Sequence, residues 1–395
     1  PPQEIIPFSA PMSFLLFLIV LTGLVLIHEA GHFFAAKWAG VKPEEFGVGF
    51  PPRAIGWTKE QGKWRRVQRD ETRATGTIWS INWLPLGGFV RLQGEQGEAP
   101  EQKGSFSQAS FAKKFVIMAA GVAMNWLLAV CIFTVAYLVG IPTDRSVLPK
   151  TAVIRDASVQ VSTILPNGPA DRAGVQMGDR VVRIAGIDAS TGADVLVRTV
   201  QERAQSGSAV DLELERAGVP LRLSVMPEEL SELQRRGIGV AFAERVIARL
   251  PWWQAPIEGV RTTFMYTVGI VQGLGGLVKN LITSGGPGAD VSGPVGIAVM
   301  TGKVAEEGVW ALARFAAILS LNLAVINFLP IPALDGGRAL FLIAERLRGK
   351  KLRANLEAAI HSIGFIVLIA LILLVTLQDL RQYGSGILRS IVSVL

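Results

Sequence analysis

One cysteine in 395 residues excludes an intrachain disulfide, and that residue, Cys131, lies in an apolar run. Charge is also scarce: 18% of residues are charged and 50% are hydrophobic, with a mean hydropathy of +0.40. That balance excludes a single soluble domain. Long polar stretches still separate the apolar ones, so several membrane spans and at least one domain outside the membrane are expected. The first apolar run has no small-residue cleavage site at its end and is not read as a cleavable signal. A net charge of +7 could suit nucleic acid. In a membrane chain, however, Lys and Arg gather in cytoplasmic loops, and no nucleic-acid partner is inferred.

The stretch that organises the chain is residues 12–40, with no basic residue between Met12 and Lys37. It carries His28, Glu29, Ala30, Gly31 and His32 inside an apolar run. Imidazole and carboxylate are costly in a bilayer and are rarely present there without a partner or a task. On a helix, residues four apart share a face, with Cβ atoms about 5–6 Å apart. Two imidazoles so placed can bind one tetrahedral Zn²⁺, with the adjacent carboxylate as general base.

Read in order, the chain is a polytopic α-helical membrane protein of about four transmembrane helices. It carries a membrane-associated β-hairpin or sheet and an inserted α+β domain. Residues 1–41 hold the first span, and 42–112 form a cytoplasmic β region, with strands at 46–57 and 77–92 placing Trp79, Ile81 and Trp83 on one face. Those tryptophans suit a membrane-surface anchor; the strand edge equally suits capture of a substrate segment as an added strand. Residues 113–141 hold the second span, whose Ala119, Ala120, Gly121 and Ala123 favour close helix packing. Asn125 there is expected to bond to a neighbouring helix in a structural role.

Residues 142–250, with a core at 151–242, alternate short strands with one helix at 193–205. The stretch from Leu165 to Asp188 resembles a bacterial PDZ domain, and Gly237, Ile238, Gly239 and Val240 are similar to that family's carboxylate-loop strand. The resemblance implies a groove that takes peptide or protein termini. Residues 251–309 read as an amphipathic or partly inserted helix (257–282) and a glycine-rich loop, with a fifth span as the alternative. Residues 310–340 hold the third span, and 341–395 a basic loop and the fourth, with His361 interfacial and uncommitted. Pro330 and Pro332 end regular helix and leave Asp335 near membrane depth. The loops after the first and third spans are the basic ones, so both are expected in the cytoplasm and the PDZ-like module outside.

HEAGH at 28–32, LPLGGFVRL at 84–92, SGPVGI at 292–297 and NFLPIPALDGG at 327–337 together make the chain resemble a site-2 protease. It is most similar to the bacterial regulator-of-sigma-E protease group, over nearly its whole length. The resemblance implies a zinc intramembrane metalloprotease in the bacterial inner membrane, with its active site toward the cytoplasm. Zn²⁺ would be held by His28, His32 and Asp335, with Glu29 catalytic and Asn327 in contact with the substrate or transition state. Leu86, Gly87, Gly88, Phe89 and Val90 fall in the β-structure that helps to present substrate. The implied substrates are single-span membrane proteins: anti-sigma-factor-like regulators after a first cut by a site-1 protease, or remnant signal peptides. Two departures stand out. One PDZ-like module is legible where some members carry two, and the family's Gly-Pro in the second span reads Gly121-Val122. A catalytically inactive PDZ scaffold binding peptide termini is the alternative. A metal transporter would call for repeated spans, and none is found.

Overall fold

The computed structural model describes residues 10–69, 71, 74–95, 102–145, 152–216, 218–230, 235–284, 292–350 and 354–392. Helix α1 (Ala10–Ala39) leads into strands β1 (Pro43–Glu60), β2 (Lys63–Arg66) and β3 (Ile78–Leu92), then helix α2 (Phe111–Val139). Next come β4 (Ile141–Asp144), β5 (Val153–Ile164), the short helix α3 (Pro169–Arg172), β6 (Arg180–Ile184), β7 (Ile187–Asp188) and helix α4 (Ala193–Gln205). Strands β8 (Val210–Arg216), β9 (Val219–Val225), β10 (Glu228–Leu230), β11 (Arg235–Gly237) and β12 (Val240–Arg249) follow. The chain ends in helices α5 (Ala255–Ser284), α6 (Pro294–Glu306), α7 (Val309–Phe328), α8 (Asp335–Arg348) and α9 (Ala354–Val392). Two compact units result: one up to Thr134 together with Pro256 onward, the other Val135–Ala255.

Four helices among the described residues are long and apolar enough to cross a membrane: 11–39, 111–139, 309–328 and 356–384. A helix satisfies its own backbone polar groups, which is what an apolar run needs where no water is at hand. The 30-residue α5 is not among the four. The third apolar helix stops at Phe328, because Pro330 and Pro332 have no N–H to continue it.

Two stretches expected as loops are helical. The basic segment from Arg338 belongs to α8, where Leu340, Ile343 and Leu347 recur at helical spacing, and Gly349 closes the helix in the left-handed region. The glycine-rich stretch contains α6, with Pro294 in its first turn, where the missing N–H costs nothing. The buried Asp379 carboxylate of α9 accepts N–H bonds from Gly293 (3.1 Å) and Gly296 (2.8 Å), satisfying donors that the α6 terminus would otherwise leave open. Residues 285–291 of that stretch lie outside the described residues.

The β region forms a sheet of order β2-β1-β3. The two arms of β3 embrace the first arm of β1: Glu45 lies opposite both Ile78 and Arg91, and Val48 opposite both Ile81 and Gly88. The arm 88–92 is thus an edge of the sheet. A buried ion pair, Arg53 Nη2 to Glu45 Oε2 at 2.7 Å, ties the two arms of β1 together. Trp79, Ile81 and Trp83 are all exposed, and Trp79 also packs on Phe46 and on Phe33 of α1, with ring centroids 5.3 and 5.2 Å apart. Ala36, Ala39, Val41, Leu92, Ile117 and Met118 form a core joining α1, the sheet and α2.

The second unit is built on a sheet of order β4-β12-β5-β6-β8-β9, with β7 paired to β6. Its core is formed by alternating residues such as Val210, Leu212 and Leu214 of β8, together with Leu196 of α4. The helix expected at 193–205 is α4. The strand expected over Gly237–Val240 is broken instead. β11 ends at Gly237 and β12 begins at Val240, because Gly239 turns the chain at φ +75° and Ile238 is drawn into the core.

Candidate active site

The apolar character of α1 makes it a helix, and the helical repeat sets His28 and His32 on one face, both buried. The chain brings a third group to them from 303 residues away: Asp335, the first residue of α8. Its Oδ2 lies 2.9 Å from His28 Nε2 and 3.1 Å from His32 Nε2, and the two Nε2 atoms are 3.2 Å apart. Among the described residues, these three alone form a cluster able to hold a metal ion. Donors about 2.0–2.1 Å from one tetrahedral ion would stand roughly 3.3 Å apart, so the observed separations fit.

The surroundings fit as well. His32 Nδ1 donates to the Ile117 carbonyl at 2.8 Å, which leaves Nε2 as the lone-pair nitrogen facing the cluster. His28 Nδ1 lies 3.4 Å from the amide nitrogen of Asn125, a fully buried residue whose Oδ1 has no hydrogen-bond partner. With that carboxamide turned by 180°, Oδ1 would accept a hydrogen bond from Nδ1–H and leave His28 Nε2 free for a metal. Gly121 supplies the room. A Cβ there would collide with His32 Nε2 and come within 2.7 Å of His28 Cε1 and 2.8 Å of His28 Nε2.

Glu29, beside the cluster, accepts a hydrogen bond from the Val90 backbone N–H at 2.9 Å. The edge arm of β3 therefore reaches the site through its main chain. Gly88, which opens that arm, and Gly87 just before it are buried near Leu26 and Val25 of α1. Phe89 is half-buried, and Leu86 also lies in β3. Asn327, half-buried near the end of α7, makes no hydrogen bond to His28, His32 or Asp335. Arg338, one turn after Asp335, pairs with Glu95 and ties α8 to the end of the sheet.

Gly237, Ile238, Gly239 and Val240 lie in the other unit. With Val197 and Val200 of α4 they line a cleft of about 50 Å³.

Two residues do more than expected. Asn125 does bond across to another helix, but its contact is the far nitrogen of a clustered histidine. His361, read as uncommitted, accepts a 2.8 Å bond from the Ala333 N–H and packs on Phe341 with ring centroids 5.2 Å apart. A polar group in a small-residue apolar run was the signal for Asn125. The signal for His361 was its position within an apolar helix, but the partner cannot be seen from one sequence.

Comparison with known proteins bears on this geometry. The model of peptidase family M50 matches residues 16–68 and 69–371. Zinc metalloprotease RasP of Geobacillus kaustophilus is 29% identical over 450 residues, covering 94% of this chain and 98% of the relative. CPE1693 of Clostridium perfringens, provisionally named a zinc metalloprotease, is 30% identical over 364 residues, covering 92% of this chain and 97% of the relative. Atu1380 of Agrobacterium fabrum, named in the same way, is 31% identical over 391 residues, covering 93% and 95%. The chain belongs to peptidase family M50, the site-2 protease family, and is a zinc metalloprotease with several membrane-type helices.

Proposed function

We propose that this metalloprotease hydrolyses peptide bonds in or near the transmembrane segment of single-span membrane proteins. The observation that carries the reading is the cluster of His28, His32 and Asp335 with two of its members on an apolar, membrane-length helix. In this reading those three residues hold zinc and Glu29 is the general base. Bound zinc supplies a Lewis acid that activates water and polarises the scissile carbonyl. Glu29 takes the proton from the attacking water and passes it to the leaving amine as the C–N bond breaks. The Val90 N–H holds the carboxylate in place, and Ile117 and Asn125 fix the two imidazole rings.

A helical substrate hides its carbonyls in backbone hydrogen bonds and has to unwind before attack. Pairing with the edge arm 88–92 would replace the bonds lost, and the contact between Val90 and Glu29 supports that role for the arm. The basic residues after the first span and along α8 support an inner-membrane orientation with the site toward the cytoplasm and the second unit outside. That unit is read as a PDZ-like module whose cleft beside Gly237–Val240 meets termini or limits access. The substrates are anti-sigma-factor-like regulators already cut by a site-1 protease, or remnant signal peptides. Asn327 contacts the substrate.

The test pairs the purified chain with Glu29→Gln. Both are expected to retain zinc, while the variant cuts a single-span substrate roughly a hundred- to ten-thousandfold more slowly. Zinc in both with equal cleavage would remove Glu29 from its role. Zinc in neither would remove the metal site.

A further inference from the structure

Ala333, two residues before Asp335, sits at φ +77°, in the left-handed region that non-glycine residues avoid. Such a conformation persists only when its surroundings over-determine it. Two residues of α9 do so here. His361 Nδ1 accepts the Ala333 N–H at 2.8 Å, and Gly364, one turn on, lies directly beneath Pro332. A Cβ at Gly364 would come within 2.6 Å of both Pro332 Cβ and the Pro332 carbonyl oxygen. The loop from Leu329 to Leu334 is therefore seated on α9 by one hydrogen bond and one close contact, and its exit delivers Asp335 to His28 and His32.

The state of the imidazole points the same way. With Nδ1 accepting, the neutral ring carries its proton on Nε2, and that atom is buried without a hydrogen-bond partner among the described residues. A buried orphan donor is unfavourable, and leucine at this position would avoid it. What leucine cannot do is receive the Ala333 amide.

The geometry points to His361 as a positioning residue of the protease: it locks the left-handed turn at Ala333 and thereby fixes Asp335 on the metal-binding side of the loop. This rests on the reading of His28, His32 and Asp335 as the zinc site. His361 touches neither that cluster nor the reacting atoms; it acts through the main chain of the loop.

The test uses the full chain in detergent and measures zinc retention against a competing chelator, with cleavage of a single-span substrate alongside. Four proteins are compared: the parent, His361→Leu, His361→Asn and the double variant His361→Leu with Ala333→Gly. Removing a direct outer partner of a metal ligand commonly weakens binding 10–100-fold; His361 acts one step further out, and His361→Leu is expected to release zinc about tenfold more readily, at the lower end of that range. His361→Asn keeps an acceptor close to the place of Nδ1 and is expected to stay within about threefold of the parent. Glycine takes a positive φ without the Cβ penalty, so the double variant is expected to recover much of the loss. Parent-like zinc retention in His361→Leu would overturn the inference while leaving the zinc site standing. So would loss that neither the Asn variant nor the glycine rescues, since that is the pattern of a merely structural role. A parent that holds no zinc would instead overturn the metal-site reading itself.

Discussion

The proposed chemistry depends on a few atoms with no slack around them. Gly121 is the clearest case: the smallest possible side chain addition there points at His32 Nε2 and His28 Nε2. Gly121→Ala is therefore expected to push one imidazole off the cluster and to lower zinc affinity at least about tenfold, measured by chelator competition. Gly23, in the apolar α1 helix, is the control. A Cβ there meets nothing within 4 Å, and Gly23→Ala is expected to leave zinc affinity unchanged while favouring the helix. Equal zinc affinity in the two variants would show that Gly121 does not bound the site. The residue scale is also where the sequence was most and least legible. His28, Glu29 and His32 could be read from spacing, because an i, i+4 pair shares a helix face whatever surrounds it. Asp335 could be associated with them only through a resemblance, and the bond from Ala333 to His361 through neither, since a tertiary contact leaves no local pattern.

Elements decide how a backbone is offered to the site. Arm 88–92 of β3 pairs with β1 on one side and turns the Val90 N–H outward to Glu29 on the other. Backbone groups along a strand alternate in direction, so an added strand would use every second substrate amide. N-methylation of a peptide substrate near its scissile bond is then expected to slow cleavage at least about tenfold at alternate positions and little at those between. Uniform slowing, or none, would remove strand capture. Strands β1 and β3 were legible from Val, Ile and Trp bounded by Gly and Pro, whereas β2, the basic Lys63–Arg66, was not. Two helices were not. In α6 the glycines and Pro294 read as breakers, although proline suits a first helical turn. In α8 the charge of a basic segment hid the recurrence of Leu340, Ile343 and Leu347. Helix α9 is legible as an apolar run, but its two polar tasks are not: Asp379 caps α6, and His361 holds the loop before Asp335.

At the scale of the whole molecule, one chain carries a membrane-type unit and a separate unit with its own core of Val159, Ile184, Leu196, Leu212 and others. The chain enters and leaves the second unit side by side, since Ile141 of β4 pairs with Ala248 of β12. Replacing 141–249 by a short Gly/Ser linker therefore joins ends that already lie together, and the zinc cluster draws no residue from the removed segment. If the second unit limits access by size or terminus, the shortened chain is expected to cut substrates that still carry a bulky outer domain. Its zinc content and its rate on trimmed substrates should remain within about twofold of the parent. The comparison that matters is the ratio of rates on untrimmed and trimmed forms of one substrate, because that ratio cancels any general loss of activity. A ratio that rises toward one assigns the filter to the second unit. A ratio unchanged from the parent would mean that bulky substrates are refused at the membrane-type unit itself, by the depth of the site on α1 and the need to reach arm 88–92 as an extended strand.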